Sequence, residues 1–489
     1  MTDSRGDLLF VRRARDLVKG PPVTCAPSTP VADAARLMSE RSVGSVIVAG
    51  PDGEPQGIVT DRDLRTRVLG SGLEPRTPAA LVMSSPLRSI ESEHTAFDAL
   101  LEMTRRNIHH LGVLTGGRLI GVISSHDLLG LQEAHPVGVA REIETAADID
   151  ALARGAARVE SVVRWLASGR AAPIDIGRIV AELNDRLVRR ALDLVRVGLE
   201  TGGNGRAPVA FSWLVAGSEG RREQTLKTDQ DNALVYQDPR PGDEAVTATY
   251  FERLAIAMSE VLTRVGFPPC PGGFMASNPR WRQPESVWSR YFTSWMETPQ
   301  PEAVLQASLF FDLRPVGGAE EVGRRLWAWV CETAPSRTLF LRHMARAALD
   351  RPAPLGFFGG FVVERSGPYK GGLDLKARAV FPLTQAMRVY ALSLGARETN
   401  TMDRLKAAGE QGIFTSAEGS ELSDAYEVIA RLRLAHQLAR LDAGAPPDNF
   451  IDPRALGKTD RLLLKEAFKT IAWLQRGLEG RFQTGLVGA

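Results

Sequence analysis

VAFSWLVAGSEGRREQTLKTDQDNALVYQ, residues 209–237, holds two apolar runs on either side of a polar turn. Residues 209–216 have the mostly apolar pattern of a buried strand, and Gly217-Ser218 breaks it. Residues 233–236 predict a second strand, directly after Asp229-Gln230-Asp231. Strand alternation puts i and i+2 on one face, so Asp229 and Asp231 point the same way, toward the Gly217-Ser218 turn. Two carboxylates held together repel unless a cation lies between them, and Mg²⁺ or Mn²⁺ is the natural occupant. Gly217 lets backbone N–H groups approach an anion, and Ser218 adds a hydroxyl. Together these are the parts of metal-assisted phosphoryl or nucleotidyl transfer. A solvated turn between two strands accounts for the same two acids more plainly. Lys227-Thr228 lacks the preceding glycine of a phosphate loop, so that alternative fits worse.

Gly217-Ser218, Gly220-Arg221, Glu223 and Asp229-x-Asp231 resemble the core of the DNA-polymerase-β-like nucleotidyltransferases, in the branch of PII uridylyltransferase and glutamine synthetase adenylyltransferase. That family uses a third carboxylate on a later strand. LFFDLRP, residues 309–315, is similar to it and offers Asp312; a bland alternative pairs Asp312 with Arg314 or caps a turn. The resemblance implies that Asp229, Asp231 and Asp312 are catalytic and hold Mg²⁺ or Mn²⁺. Gly217, Ser218 and Arg221 would cradle the triphosphate of an NTP, and Glu223 would orient Arg221 or the turn.

Toward the N-terminus, within a domain at 17–135, residues 17–133 contain an internal repeat. SVIV before a turn and GIVTDRDL, residues 57–64, return as an apolar run at 108–114, a Gly116-Gly117 turn and GVISSHDL, residues 121–128. The copies lie about 64 residues apart, from Gly57 to Gly121, each preceded by an amphipathic helix at 31–41 or 96–106. Two units favour a pseudo-two-fold pair over a solenoid. The repeat resembles a tandem pair of cystathionine β-synthase (CBS) domains, at about 17–72 and 79–133. That resemblance implies an adenine-nucleotide ligand (AMP, ADP or ATP) on Thr60 with Asp63 and on Ser124 with Asp127, and association as a homodimer. A hydroxyl followed three residues on by an acid is equally a helix N-cap. His109 and His110 are expected to be structural or phosphate-adjacent, and Arg62 to help a phosphate or face solvent.

The remaining chain reads as multidomain α/β: an extension at 1–16, the CBS pair, a helical connector at 136–205, the α/β core at 206–325 and a helical domain at 326–489. Helices are predicted at 140–152, 159–167, 176–199 and 244–265, and bundle helices at 388–404, 422–441 and 462–474. Residues 270–278, CPGGFMASN, offer a turn that could shape a base or substrate pocket. Trp281, Trp288 and Trp295, seven apart, read as core or docking surface before base stacking. Glycine-rich interruptions at 355–361 and 367–376 carry Lys370, Asp374 and Lys376, which fit a triphosphate, an acidic protein target or ordinary loop chemistry. Arg431, Arg433, His436 and Gln437 read as a polar face or ion-pair network. The family resemblance extends over these parts; some such proteins carry a cyclic-nucleotide-binding domain ahead of the CBS pair, and residues 1–16 are too short for one.

Composition limits the rest. A net charge of +2 gives no footprint for nucleic acid or an anionic membrane. Three scattered cysteines without metal-ligand spacing fit a reducing cytoplasm, and the seven histidines offer zinc no candidate site. No run of about 18 apolar residues is present, and the charged N-terminus has no signal-peptide core. The expected function is nucleotidyl transfer from NTP to an acceptor, a protein hydroxyl first, under control of the CBS pair. A nucleotide-sensing regulator with a silent core is the alternative, and a channel or transporter subunit a weaker third.

Overall fold

The computed structural model describes residues 13–128, 136–226, 229–356 and 359–487. Lys227-Thr228 and the middle of the 355–361 stretch lie outside them. The chain falls into two compact units, residues 1–141 with 168–171 and residues 142–167 with 172–489.

The first unit contains two copies of one small motif. In the first, β1 (Thr24–Cys25) pairs parallel with β2 (Ser45–Ala49), which pairs antiparallel with β3 (Pro55–Thr60). In the second, β4 (Ser89–Glu91), β5 (His110–Thr115) and β6 (Arg118–Ser124) repeat that order and sense. The preceding helices are Val31–Glu40 and Ala96–Arg106. The first buries Val31, Ala34 and Met38 against Val46, Val48 and Val59, as its three-four spacing dictates.

The second unit is built on a four-stranded sheet. β7 (Phe211–Val215) and β8 (Asn232–Tyr236) are antiparallel, with Leu214 opposite Ala233, and all ten of their residues are buried. β9 (Arg282–Pro284) runs parallel to β8, and β10 (Arg314–Gly318) antiparallel to β7. Helices Pro173–Leu199 and Glu320–Thr333 pack on this sheet. A single apolar cluster runs from Leu214 and Val235 through Trp288 and Phe311 to Leu383, Ile429 and Ile471. Helices Thr338–Leu349, Phe381–Leu394, Ser416–Asp442 and Lys458–Phe482 belong to that cluster, so the sheet and the C-terminal helices share one core.

The structure corrects three sequence expectations. The helices expected at 140–152 and 159–167 are Pro136–Glu144 and Ile149–Ser168, the break falling before Ile149; Asp148 accepts from the Ala151 N–H at 2.8 Å and starts the second. The helix expected at 388–404 also breaks: Gly395 adopts φ 68°, closing Phe381–Leu394, and Asn400 caps Thr401–Glu410. Residues 309–313 are not a strand. Helix Pro301–Phe310 ends there and Asp312 occupies the turn before β10. No described helix is long and apolar enough to cross a membrane.

Candidate active site

The end of β7 and the approach to β8 bring the expected turn and acid pair together. After Val215 the chain turns through the short helix Gly217–Gly220, with Gly217 at φ 59°. A Cβ on Gly217 would meet Asp231 Oδ2 at 3.0 Å and one on Gly220 would meet the Asp312 carbonyl oxygen at 1.9 Å. Glycine is therefore required twice, once by conformation and once by close approach.

The predicted alternation holds. Between the two acids, Gln230 turns inward and donates through Nε2 to Ser259 O (3.1 Å), Thr263 Oγ1 (3.0 Å) and Phe267 O (2.9 Å). Asp229 and Asp231 gather on the other side with Cys270, their ligand atoms all within 4.8 Å of one another. Two carboxylates and a thiol form a donor set that fits a divalent metal ion. Burial first, and Asp229 second, push the Asp231 carboxyl up to about 6; the Cys270 hydrogen bond, Lys376 and Arg221 act against them.

A cavity of about 390 Å³ opens over this wall. Gly217, Ser218, Arg221, Asp229 and Asp231 line one side, and Arg351, Lys376 and Arg388 contribute cations from the C-terminal helical part. A second cavity of about 240 Å³ adjoins it through Ser218, Arg221, Asp229 and Lys376, and includes Tyr426, Arg433 and Gln437. Sequence reasoning singled out Asp374 and Lys376 and both line the larger cavity; Lys370 does not. It missed Cys270, Arg351 and Arg388.

Asp312 is not with the pair. Its side chain is fully buried and receives Arg221 Nη1 at 2.6 Å, Arg388 Nε at 3.0 Å and Arg404 Nη1 at 2.7 Å. Burial alone would raise its carboxyl, but Arg388, Arg404 and Arg221 outweigh that and hold it well below the usual carboxylate range. With both oxygens occupied by guanidinium groups, Asp312 has no oxygen turned to a shared metal. Its physical role in this arrangement is to anchor arginines.

Arg221 reaches the cavity wall, yet its hydrogen bonds go to Glu223 Oε2 (2.8 Å) and Asp312. Glu223 orients it and accepts from the Thr401 N–H at 2.7 Å. Thr399 Oγ1 donates to Gly220 O and Asn400 Nδ2 to Arg221 O, each at 2.9 Å. Residues 399–404 thus grip the turn of residues 220–223. On the other side, Arg314 pairs with Asp185 at 2.5 and 2.8 Å and donates to Glu219 O at 3.1 Å. Glu219 is fully buried; burial, then Asp185, push its carboxyl up to about 7 against the pull of Arg314.

The tryptophans are core: Trp281 stacks on Trp288 at 6.0 Å, and Trp288 Nε1 donates to Leu234 O at 3.2 Å. Asn278 closes its own loop by donating to Gly273 O at 3.1 Å. Arg431, Arg433, His436 and Gln437 form the expected polar network with Asp460, Asn449 and Asp448.

In the first unit Thr60 N and Oγ1 donate to Asp63 Oδ2 at 3.0 and 2.7 Å. Ser124 N and Oγ donate to Asp127 Oδ2 at 2.8 and 2.5 Å. Both pairs therefore carry the helix-capping role. Asp127 also meets Lys19 Nζ at 2.6 Å, and His109 Nδ1 lies 3.0 Å from Ser125 Oγ.

Three family models match this chain. "CBS domain" covers residues 14–70 and 79–133, "Putative nucleotidyltransferase DUF294" covers 157–302, and "Putative nucleotidyltransferase substrate binding domain" covers 338–482. The chain belongs to the DUF294 family, with a CBS pair ahead of both of that family's parts. This DUF294 protein is 31% identical over 112 residues to the uncharacterized protein MK0525 of Methanopyrus kandleri, 22% of this chain and 57% of that one. It is 31% identical over 105 residues to the CBS domain-containing protein YhcV of Bacillus subtilis, 22% of this chain and 74% of that one. It is 30% identical over 174 residues to CBSCBSPB3 of Arabidopsis thaliana, 35% of this chain and 29% of that one. The DUF294 protein thus spans 57% and 29% of the length of two of these relatives. Among solved structures, an uncharacterized conserved protein from Pyrococcus horikoshii matches at 28% identity and TM-score 0.24, over 24% of this chain and 90% of that one. CBS domain protein PAE2072 from Pyrobaculum aerophilum, complexed with AMP, matches at 27% and 0.23, over 26% and 98%.

Proposed function

We propose that this DUF294 protein transfers a nucleoside monophosphate from an NTP to an acceptor, with Mg²⁺ or Mn²⁺ and release of pyrophosphate. The observation that carries this reading is the wall Gly217-Ser218-Asp229-Asp231 facing Lys376 and Arg388 across one cavity. The bond from the α-phosphorus to the oxygen bridging to the β-phosphorus breaks and that oxygen departs with pyrophosphate, a bond from the acceptor oxygen to the α-phosphorus forms, and the acceptor proton passes to water. A metal ion bound by Asp229 and Asp231 supplies charge stabilisation to the phosphoryl group in transfer. Ser218 offers a hydroxyl to a phosphate oxygen and Lys376 complements its negative charge, while Arg388, its guanidinium held by Asp312 and Gln385, lends positive charge to the cavity wall from behind. Asp312 acts at one remove, by fixing Arg221 and Arg388 through its buried ion pairs. A protein hydroxyl is the proposed acceptor, by resemblance to PII uridylyltransferase and glutamine synthetase adenylyltransferase. Thr60 with Asp63 and Ser124 with Asp127 are proposed to take an adenine nucleotide, in a cytoplasmic homodimer formed through the CBS pair.

Incubation of the protein with each α-labelled NTP, Mg²⁺ or Mn²⁺ and a lysate of its source tests the reading. Label is expected on one protein band with wild type and on none with Asp231→Asn. The engagement of Asp312 by three arginines favours one second reading, a core that binds nucleotide without turnover. NTP binding with no labelled product under any of these conditions would select it.

A further inference from the structure

Cys270 stands 41 residues after Asp229 in the chain, yet its sulfur lies within 4.8 Å of a carboxylate oxygen on each of Asp229 and Asp231. Pro269 forms a parallel bridge with Gln230, and Asn232 is tied to the same loop by its N–H to Phe274 O (3.1 Å) and by the Ala276 N–H to its Oδ1 (2.9 Å). The residue is 9% exposed. Burial first, with Asp231 beside it, pushes the Cys270 thiol up in the metal-free protein, and the backbone N–H groups of Phe274 and Gly272 act against that. Such donors favour the charged form of the group they face. Asp231 makes no ion pair among the described residues, and Cys270 is its hydrogen-bond partner.

The three ligand atoms, all within 4.8 Å of one another, stand within a few tenths of an ångström of the separation that one ion imposes, a difference that side-chain rotation closes. Ligand atoms at about 2.0–2.3 Å from one metal lie at most about 4–4.6 Å apart. Oxygen-only sites suit Mg²⁺, whereas a thiolate draws softer divalent ions. We propose that Cys270 is a third protein ligand to the metal held by Asp229 and Asp231, and that the site takes thiophilic divalent ions such as Zn²⁺ or Cd²⁺ alongside hard ones. Coordination replaces the S–H bond with a sulfur–metal bond and passes one proton to water. The inference rests on the reading of Asp229 and Asp231 as metal ligands. The competing arrangement is a thiol that only donates to Asp231 and stays protonated.

The test uses the full chain titrated with Cd²⁺ and, separately, with Mg²⁺ or Mn²⁺, in wild type and in Cys270→Ser. Wild type should show a sulfur-to-cadmium charge-transfer band that Cys270→Ser lacks, although Cys25 and Cys331 remain. Cd²⁺ affinity should fall by about tenfold or more in the variant, and Mg²⁺ affinity by less than about threefold. An unchanged band or unchanged Cd²⁺ affinity overturns the inference. X-ray absorption on cadmium- or zinc-loaded wild type needs no variant: one sulfur scatterer supports the proposal, and an all-oxygen or nitrogen shell overturns it. Failure of wild type to bind Mg²⁺ or Mn²⁺ would strike the parent reading instead, since the sulfur signal is scored on Cd²⁺ alone.

Discussion

Arg404 donates from Nη1 to Asp312 Oδ1 at 2.7 Å, and both side chains are wholly buried. Arg404 also donates to Phe311 O at 2.9 Å and Glu398 O at 2.8 Å, so it staples the turn before β10 to helix Thr401–Glu410. A buried guanidinium is tolerated only while such partners satisfy it.

Asp312→Asn should therefore destabilise the second unit by about 3–5 kcal/mol, because Arg221, Arg388 and Arg404 would lose their shared counter-charge. Chemical unfolding midpoints of wild type and variant check this. A midpoint within error of wild type would show that the three arginines find other partners.

The same carboxylate gives stability a pH dependence of known sign. Its folded value lies below the roughly 3.9 of an unfolded aspartate, so its contribution is complete above about pH 5 and is lost as pH falls through the depressed folded value. The stability gap between wild type and Asp312→Asn should shrink on acidification from about pH 6 to about pH 3. Urea midpoints across that range measure it.

Asp63→Ala and Asp127→Ala each remove the acceptor of a capping pair, costing about 0.5–2 kcal/mol of local stability. They should also weaken adenine-nucleotide binding by roughly ten- to hundredfold, from loss of a charge-assisted contact. Calorimetry of the full chain separates the two effects: lower stability with unchanged nucleotide affinity leaves the caps alone.

Lys376 is exposed, lines both cavities and makes no ion pair among the described residues. Lys376→Ala should leave stability within about 0.5 kcal/mol. It should weaken NTP binding several-fold, about three- to tenfold, the contact being discounted for solvent screening. Equilibrium binding of a fluorescent NTP reads this; unchanged affinity would remove Lys376 from the phosphate site.

Local pattern made half of the candidate site legible. Residues 209–237 announced their strands by apolar runs, and alternation alone set Asp229 and Asp231 on one side of Gln230. The repeat showed itself because GIVTDRDL and GVISSHDL are near copies. Cys270 was hidden because it arrives through a bridge at Pro269, and spacing along the chain carries no trace of that. LFFDLRP misled for a different reason: a short apolar run reads alike as a buried strand or a helix end. Arg388 and Arg404 had no local signal, since a lone arginine on a helix looks solvated until its partner, Asp312, is placed in space.

Asp312 lies between the matched segments, after 302 and before 338, while two of its arginines come from the later one. The grip of residues 399–404 on the turn of residues 220–223 ties the family's two named parts together through buried polar contacts and one shared apolar core. Cutting the chain between them would leave Asp312 buried with Arg221 as its one remaining ion pair and expose the underside of the turn that carries Gly217. The transferase core and its helical partner are thus expected to be inherited, expressed and unfolded together, and a boundary drawn at either family limit divides a charge network and not two domains.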